Sequence, residues 1–321
     1  MSLLKLNIDG QVTAKLDDFI AQRHYRLVNS VFLWRDGEVL AERYYNKFTE
    51  ESRNHIKSVW KSILAVCAGI CMDKGYIKGM EQPLSDFLPE FDGSREPYHK
   101  MLKLRHIFTM TSGIYWNGGI HYHCPMLMQC ARSGNMVDYI SDIHMENIPG
   151  NVYVYKEWDA ILASAVLGKA TGMNAYDFCQ KYLYGPLAIK SGRWFTTPDG
   201  ISYTIPGNNF KGVGGEAEET ESDLSVRDMA KIGMLFLNRG MYDGKQIVSE
   251  EFVQQAVTPL DCNAGYGMFW WLGSGWYGCR GFGGQEVTVV PDKNIVFAMQ
   301  AKATPSGKHY DDVLPFLLEC I

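Results

Sequence analysis

Ser58-Val59-Trp60-Lys61, continued by Ser62-Ile63-Leu64-Ala65-Val66-Cys67-Ala68-Gly69-Ile70, is the stretch on which both fold and chemistry turn. A serine three residues ahead of a lysine, heading an apolar run at helical spacing, puts hydroxyl and ammonium on one helix face about one turn apart. That is a nucleophile beside a base. Ser58 also stands at a predicted helix start, where backbone N–H groups lack intrahelical partners and the dipole favours developing negative charge. The spacing by itself is not selective, because Ser2-Leu3-Leu4-Lys5 matches it in what should be a loose terminus. The plain alternative is a serine N-cap with a solvated lysine.

Working outward, residues 13–24 read as an amphipathic helix. Ser30–Trp34 and Val39–Tyr45 flank Arg35-Asp36-Gly37-Glu38, a hairpin signal. The nucleophile helix runs over 58–73. Helices are expected near 100–110, 136–143, 158–171, 174–183, 222–239 and 249–257, with a loop-rich passage over 185–215. Strand character returns at 266–272, 286–290 and 295–300, Pro291-Asp292-Lys293-Asn294 joins the last two, and a helix closes the chain at about 310–319. Strands at both ends around a helical middle give an α+β chain. Its antiparallel sheet lobe comes from 1–72 and 260–321, its mainly helical lobe from 73–259, and the cleft between them is the natural site.

A chain of 321 residues that is 46% hydrophobic can bury a large core. Its net charge of -5, with both signs spread along the chain, points away from nucleic acid and from a membrane surface. No apolar run approaches the roughly 20 residues needed to span a bilayer, and the N-terminal residues lack a secretory pattern, so a cytoplasmic protein is expected. The eight cysteines form no C-x-x-C pair and read as reduced thiols.

The ordered set Ser58-Val59-Trp60-Lys61, Phe108-Thr109-Met110-Thr111-Ser112-Gly113-Ile114, Tyr155 with its helix to Thr171-Gly172, Gly215 with Ser222-Asp223-Leu224, and Gly281-Phe282-Gly283-Gly284-Gln285 resembles the serine beta-lactamase and penicillin-binding-protein superfamily. More narrowly, it is similar to the class C beta-lactamase-related esterases and aminohexanoate-oligomer hydrolases. The resemblance covers about residues 30–300 and implies a beta-lactamase/transpeptidase-like fold. It also implies acyl transfer on Ser58, with Lys61 and Tyr155 moving protons and the N–H groups of Ser58 and Phe282 holding the oxyanion. Tyr153 competes with Tyr155 for the second motif, and the interval to Thr171-Gly172 favours Tyr155. Lys61 serves as a base only if its ordinary pKa of about 10.4 is pulled down by burial or nearby positive charge.

Two positions depart from the pattern. Where the family has asparagine or serine two residues after the tyrosine, this chain has Glu157, whose carboxylate near Lys61 would favour the ammonium. Where the third motif has lysine or histidine, it has Cys279, followed by Arg280 and Gly281. This removes the cation that docks a beta-lactam or peptide carboxylate unless Arg280 replaces it. An ester or amide lacking that carboxylate is the expected substrate. The rival is a catalytically weak relative that binds a peptide or cell-wall fragment.

Trp116, His121 and His123 follow the Thr-Ser-Gly motif and are candidates for the substrate wall, as are Trp158, Trp270, Trp271 and Trp276 unless they pack the core. His121 and His123 alone do not make a metal site, since no further ligand set is evident. Gly212–Ala217 fits a loose dinucleotide pattern, but no strand precedes it, and there is no G-x-S-x-G elbow. No cofactor is expected; the partner is a small-molecule ester, amide or short peptide.

Overall fold

The computed structural model describes residues 5–118, 125–197, 199–203 and 223–321. In chain order the first half carries β1 (Lys5–Leu6), α1 (Gly10–Ile20), β2 (Val28–Arg35), β3 (Glu38–Tyr44), β4 (Asn54–His55), α2 (Val59–Asp73), α3 (Leu104–Phe108), α4 (Pro125–Arg132) and α5 (Met136–Ser141). There follow α6 (Glu157–Thr171), α7 (Ala175–Cys179), β5 (Phe195–Thr196), β6 (Ser202–Tyr203), β7 (Asp223–Leu224), α8 (Val226–Leu237), β8 (Met241–Tyr242), β9 (Lys245–Gln246) and α9 (Glu250–Ala256). The chain closes with β10 (Trp271–Gly273), β11 (Trp276–Gly281), β12 (Gln285–Val290), β13 (Ile295–Ala301) and α10 (Val313–Cys320).

The main sheet has seven strands in the order β1-β3-β2-β13-β12-β11-β10, antiparallel except where β1 lies parallel to β3. Its strands come from 5–44 and 271–301, and the fold is α+β. At the β2–β3 turn, Asp36 (φ 51°) and Gly37 (φ 93°) both take the left-handed region that a two-residue hairpin of this twist requires. Along β2, Val31 and Leu33 face α1 and α10, while Phe32 and Trp34 face the opposite layer. Burial on both faces explains why this strand lacks an apolar/polar alternation. Asp9 caps α1 by accepting from the N–H groups of Gln11 and Val12, so the helix begins ahead of the 13–24 expectation.

Every α2 residue from Val59 to Cys71 is buried. A helix apolar on all sides is a core helix, and it carries Lys61 inward with it. One apolar cluster runs from the inner sheet face through α2 into α6, and α8 packs across β12 and β13 although it comes from the middle of the chain. No helix among the described residues is long and apolar enough to cross a membrane.

Several elements differ from the sequence reading. The strand expected over 266–272 is confined to β10, because Phe269 takes φ 58° and breaks the extension; Tyr266 makes a single bridge to Trp271. The helix expected over 174–183 is α7 followed by a wider π turn at Gln180–Tyr184. α4 and β11 had no counterpart among the expected elements, and within the loop-rich passage β5 and β6 pair as a short hairpin.

Candidate active site

Ser58 is the residue before α2, and its side chain makes no capping hydrogen bond. The hydroxyl is thus left for other partners. Lys57, immediately before it, has φ 52°, an uncommon conformation for a lysine that turns the chain sharply into the helix. One turn on, Lys61 is 3% exposed and its Nζ donates to the Ser58 Oγ at 3.2 Å. The solvated-lysine alternative does not describe this side chain.

The phenol of Tyr155 lies within hydrogen-bonding reach of both Ser58 and Lys61, and the Lys61 Nζ sits 5.0 Å from the centre of its ring. Tyr153 instead packs its ring on Tyr266 at 4.9 Å. Burial pushes the Tyr155 phenol up, with Lys61 pulling the other way and Glu157 adding to the rise, so the group is a proton donor at neutral pH.

Glu157 opens α6, where a helix N-terminus favours a carboxylate. Its Oε1 accepts from Lys61 Nζ at 2.8 Å, and its Oε2 accepts from the Tyr203 hydroxyl at 2.8 Å. Burial alone would favour the free amine of Lys61. The charge of Glu157, together with its hydrogen bond, outweighs that and holds Lys61 above its ordinary value. Tyr203 is 1% exposed and packs edge-on against Trp60. No sequence pattern marks it, because it sits in the loop-rich passage without a motif.

The same tyrosine-bearing segment is fixed from behind. Val154 donates to the Met110 carbonyl at 2.9 Å and Gly150 to that of Thr111 at 2.8 Å. Buried Lys156 donates to Ser112 Oγ at 3.2 Å and to the Ile114 carbonyl at 2.9 Å. The Thr-Ser-Gly loop therefore acts on the site through the backbone it braces. Asp159 completes this cluster; burial raises its carboxyl to about 6, against the pull of Lys156 and Ser112.

On the sheet side of the Ser58 segment, β10 pairs with β11 only as far as Gly278, and Cys279–Gly281 run on beyond it. A β-carbon on Gly281 would stand 2.4 Å from the Ile56 carbonyl oxygen, so the strand presses directly on the segment leading into Ser58. Phe282 follows directly on from that contact. Cys279 is fully buried against Ser62 of α2, and burial pushes its thiol up to about 12.

Arg280 points to the other face of the sheet. Its register partner is Glu286, whose own partner Met299 belongs to the α1/α10 core. There it bonds Asp311 at 2.7 Å, lies 3.8 Å from Glu286, and covers the ring of Trp276 at 4.9 Å.

Of the aromatic candidates, Trp158 and Trp270 are core residues with no exposure. Trp271 stacks on Tyr155 at 5.7 Å, and Trp116 stands edge-on to Trp158 at 4.8 Å. His121, His123, Gly212–Ala217 and Ser222 lie outside the described residues.

A 6-aminohexanoate-dimer hydrolase of Paenarthrobacter ureafaciens is 21% identical over 264 residues, 79% of this chain and 62% of that one. Among solved structures, a beta-lactamase-like protein of Bacteroides dorei superposes with a TM-score of 0.76 at 16% identity, covering 96% of this chain and 98% of the other. EstCE1, described as a hydrolase with promiscuous acyltransferase activity, gives 0.70 at 13% identity, covering 96% and 97%. The Beta-lactamase family model matches residues 16–318, and the chain belongs to that family.

Proposed function

We propose that the chain is a serine hydrolase that cleaves an ester or amide through an acyl-enzyme on Ser58. The observation that carries this reading is the buried Lys61 amine, which donates to the Ser58 hydroxyl and lies 5.0 Å from the centre of the Tyr155 ring. The hydrolases named among its relatives support the coarse class.

In the proposed sequence, the Ser58 Oγ attacks the carbonyl carbon as its proton passes to the free amine of Lys61. The N–H groups of Ser58 and Phe282 hold the oxyanion. As the tetrahedral species collapses, the Tyr155 phenol protonates the departing oxygen or nitrogen and is reprotonated by the Lys61 ammonium. Water then attacks the acyl group and returns Ser58. Glu157 opposes the first step by stabilising the ammonium. Acylation is therefore slow at neutral pH and rises as the solution becomes more alkaline.

That same 2.8 Å contact favours a second reading, a weak relative that binds a peptide or cell-wall fragment and turns it over hardly at all. A fluorophosphonate probe followed by intact-mass and peptide analysis separates them from an inert fold. Labelling at Ser58, lost in Ser58→Ala, with steady release of 4-nitrophenol from a short-chain ester supports the hydrolase. Stoichiometric labelling with a burst and no turnover supports the binder, and labelling that persists in Ser58→Ala refutes both.

A further inference from the structure

We infer that a basic groove starting beside the nucleophile receives an oxyanion, a carboxylate or phosphate, at the end of the substrate remote from the scissile bond. Two hollows of about 560 and 530 Å³ adjoin each other and share Arg26 and Leu27 as lining. Lys57 and Lys302 line the first, Arg23 and Lys308 the second, and no described acidic residue lines either. In a chain whose net charge is -5, this is a local reversal of sign.

The floor of the first hollow is a chain of amides. Asn29 donates to Asn54 Oδ1 at 3.1 Å, Asn54 to Gln285 Oε1 at 3.1 Å and to the Ala301 carbonyl at 2.7 Å, and Gln285 to that same carbonyl at 2.6 Å. These donors already have acceptors, so the floor is rigid and recognition of charge falls to the exposed rim, Arg26 and Lys302.

The inner end points to the reaction. Lys57 precedes Ser58, and its Cβ would be 3.0 Å from a β-carbon on Gly281. Ala303 backs Gly283 just as closely, at 2.5 Å. The groove therefore opens against the turn that bears the Phe282 N–H. With Cys279 at the usual docking position, negative charge on the substrate has no cation there and has several here. The inferred substrate is a short acyl chain ending in an oxyanion, its carbonyl at Ser58 and its charge at the rim.

The catalytic part of this inference rests on the hydrolase reading; the binding part does not. The catalytic test compares 4-nitrophenyl valerate with mono-4-nitrophenyl glutarate, esters of equal chain length that differ in a terminal carboxylate. The expected kcat/KM ratio, glutarate over valerate, is at least tenfold at low salt. It falls toward one in the Arg26→Gln/Lys302→Gln double variant and recovers in Arg26→Lys/Lys302→Arg. A ratio near one in the wild type, or one unmoved by the double variant, overturns the inference. The binding test titrates glutarate and inorganic phosphate into Ser58→Ala by calorimetry. Saturable binding of either, weakened at least tenfold by the same double substitution, supports the groove, and the tighter ligand names the oxyanion. No binding of either, or binding indifferent to the substitutions, overturns it. Binding without turnover of any ester leaves the groove standing and removes the hydrolase; turnover without anion preference or binding does the reverse.

Discussion

At the scale of single residues, the chemistry depends on a balance at Lys61 between burial, which favours the free amine, and Glu157, which favours the ammonium. Glu157 prevails in the native protein, so ester hydrolysis should climb with pH without levelling off below about pH 10. Glu157→Gln removes the anion and leaves burial in command. The midpoint should move to lower pH, and the rate at pH 7 should rise roughly tenfold for each unit of that movement. A pH–rate profile of both proteins on one neutral ester checks this, and coincident midpoints would refute it. Tyr203→Phe strips Glu157 of its second partner inside the protein and should cost about 1–3 kcal/mol of stability, read by urea unfolding. Glu157 was legible in the sequence because it breaks a known interval after Tyr155. Tyr203 was not, since its role is defined by a contact 46 positions away and by no local pattern.

At the scale of elements, the site is made by two backbones approaching closely, and glycine permits the approach. Gly281→Ala would drive a β-carbon into the Ile56 carbonyl and displace the backbone that leads into Phe282. With the Phe282 N–H as the proposed oxyanion donor, that displacement should lower kcat on the order of 10²- to 10³-fold, with fluorophosphonate labelling slowed in parallel. The strand responsible, β11, escaped reading as a strand: Gly278 and Gly281 dilute its β character, and its pairing partners are visible only in the folded sheet. α2 was readable because an uninterrupted apolar run of that length has few other outcomes. α3 supplies a different test. Burial, with Arg105 adding to it, lowers His106 from its ordinary 6.5 to about 4. The fold favours the neutral ring, so the unfolded chain takes up a proton first as pH falls. Stability is therefore lost from about pH 6.5 downward, and the loss levels off near pH 4. His106→Gln should flatten the melting-temperature curve over that interval relative to the wild type, while leaving the carboxylate contribution in both.

At the scale of the molecule, the two ends of the chain build the sheet, and that much followed from where strand-forming segments fell. How the middle of the chain attaches did not follow, because α8 reaches the sheet through contacts that no helical periodicity specifies. The joint is tight at Gly233, where a β-carbon would stand 2.7 Å from Val296 Cγ1 and 2.8 Å from Val287 Cγ1. Gly168 in α6 is also helical, yet a β-carbon there would meet its nearest neighbour, the Met173 carbonyl oxygen, at a comfortable 3.7 Å. By helix propensity alone, alanine should stabilise both positions by about 0.5–1 kcal/mol. The packing separates them. Gly168→Ala should raise the melting temperature by a degree or more, whereas Gly233→Ala should lower it by roughly 2–8 °C, because overpacking the α8–sheet joint costs about 1–3 kcal/mol. The atoms nearest a β-carbon on Gly233 belong to Val296, Val287 and Val289 and to none of the Ser58 cluster's side chains, so ester turnover per folded molecule, measured well below the melting transition, should stay within twofold in both variants. Stabilisation by Gly233→Ala would mean that α8 does not rest on β12 and β13 as closely as its backbone is placed.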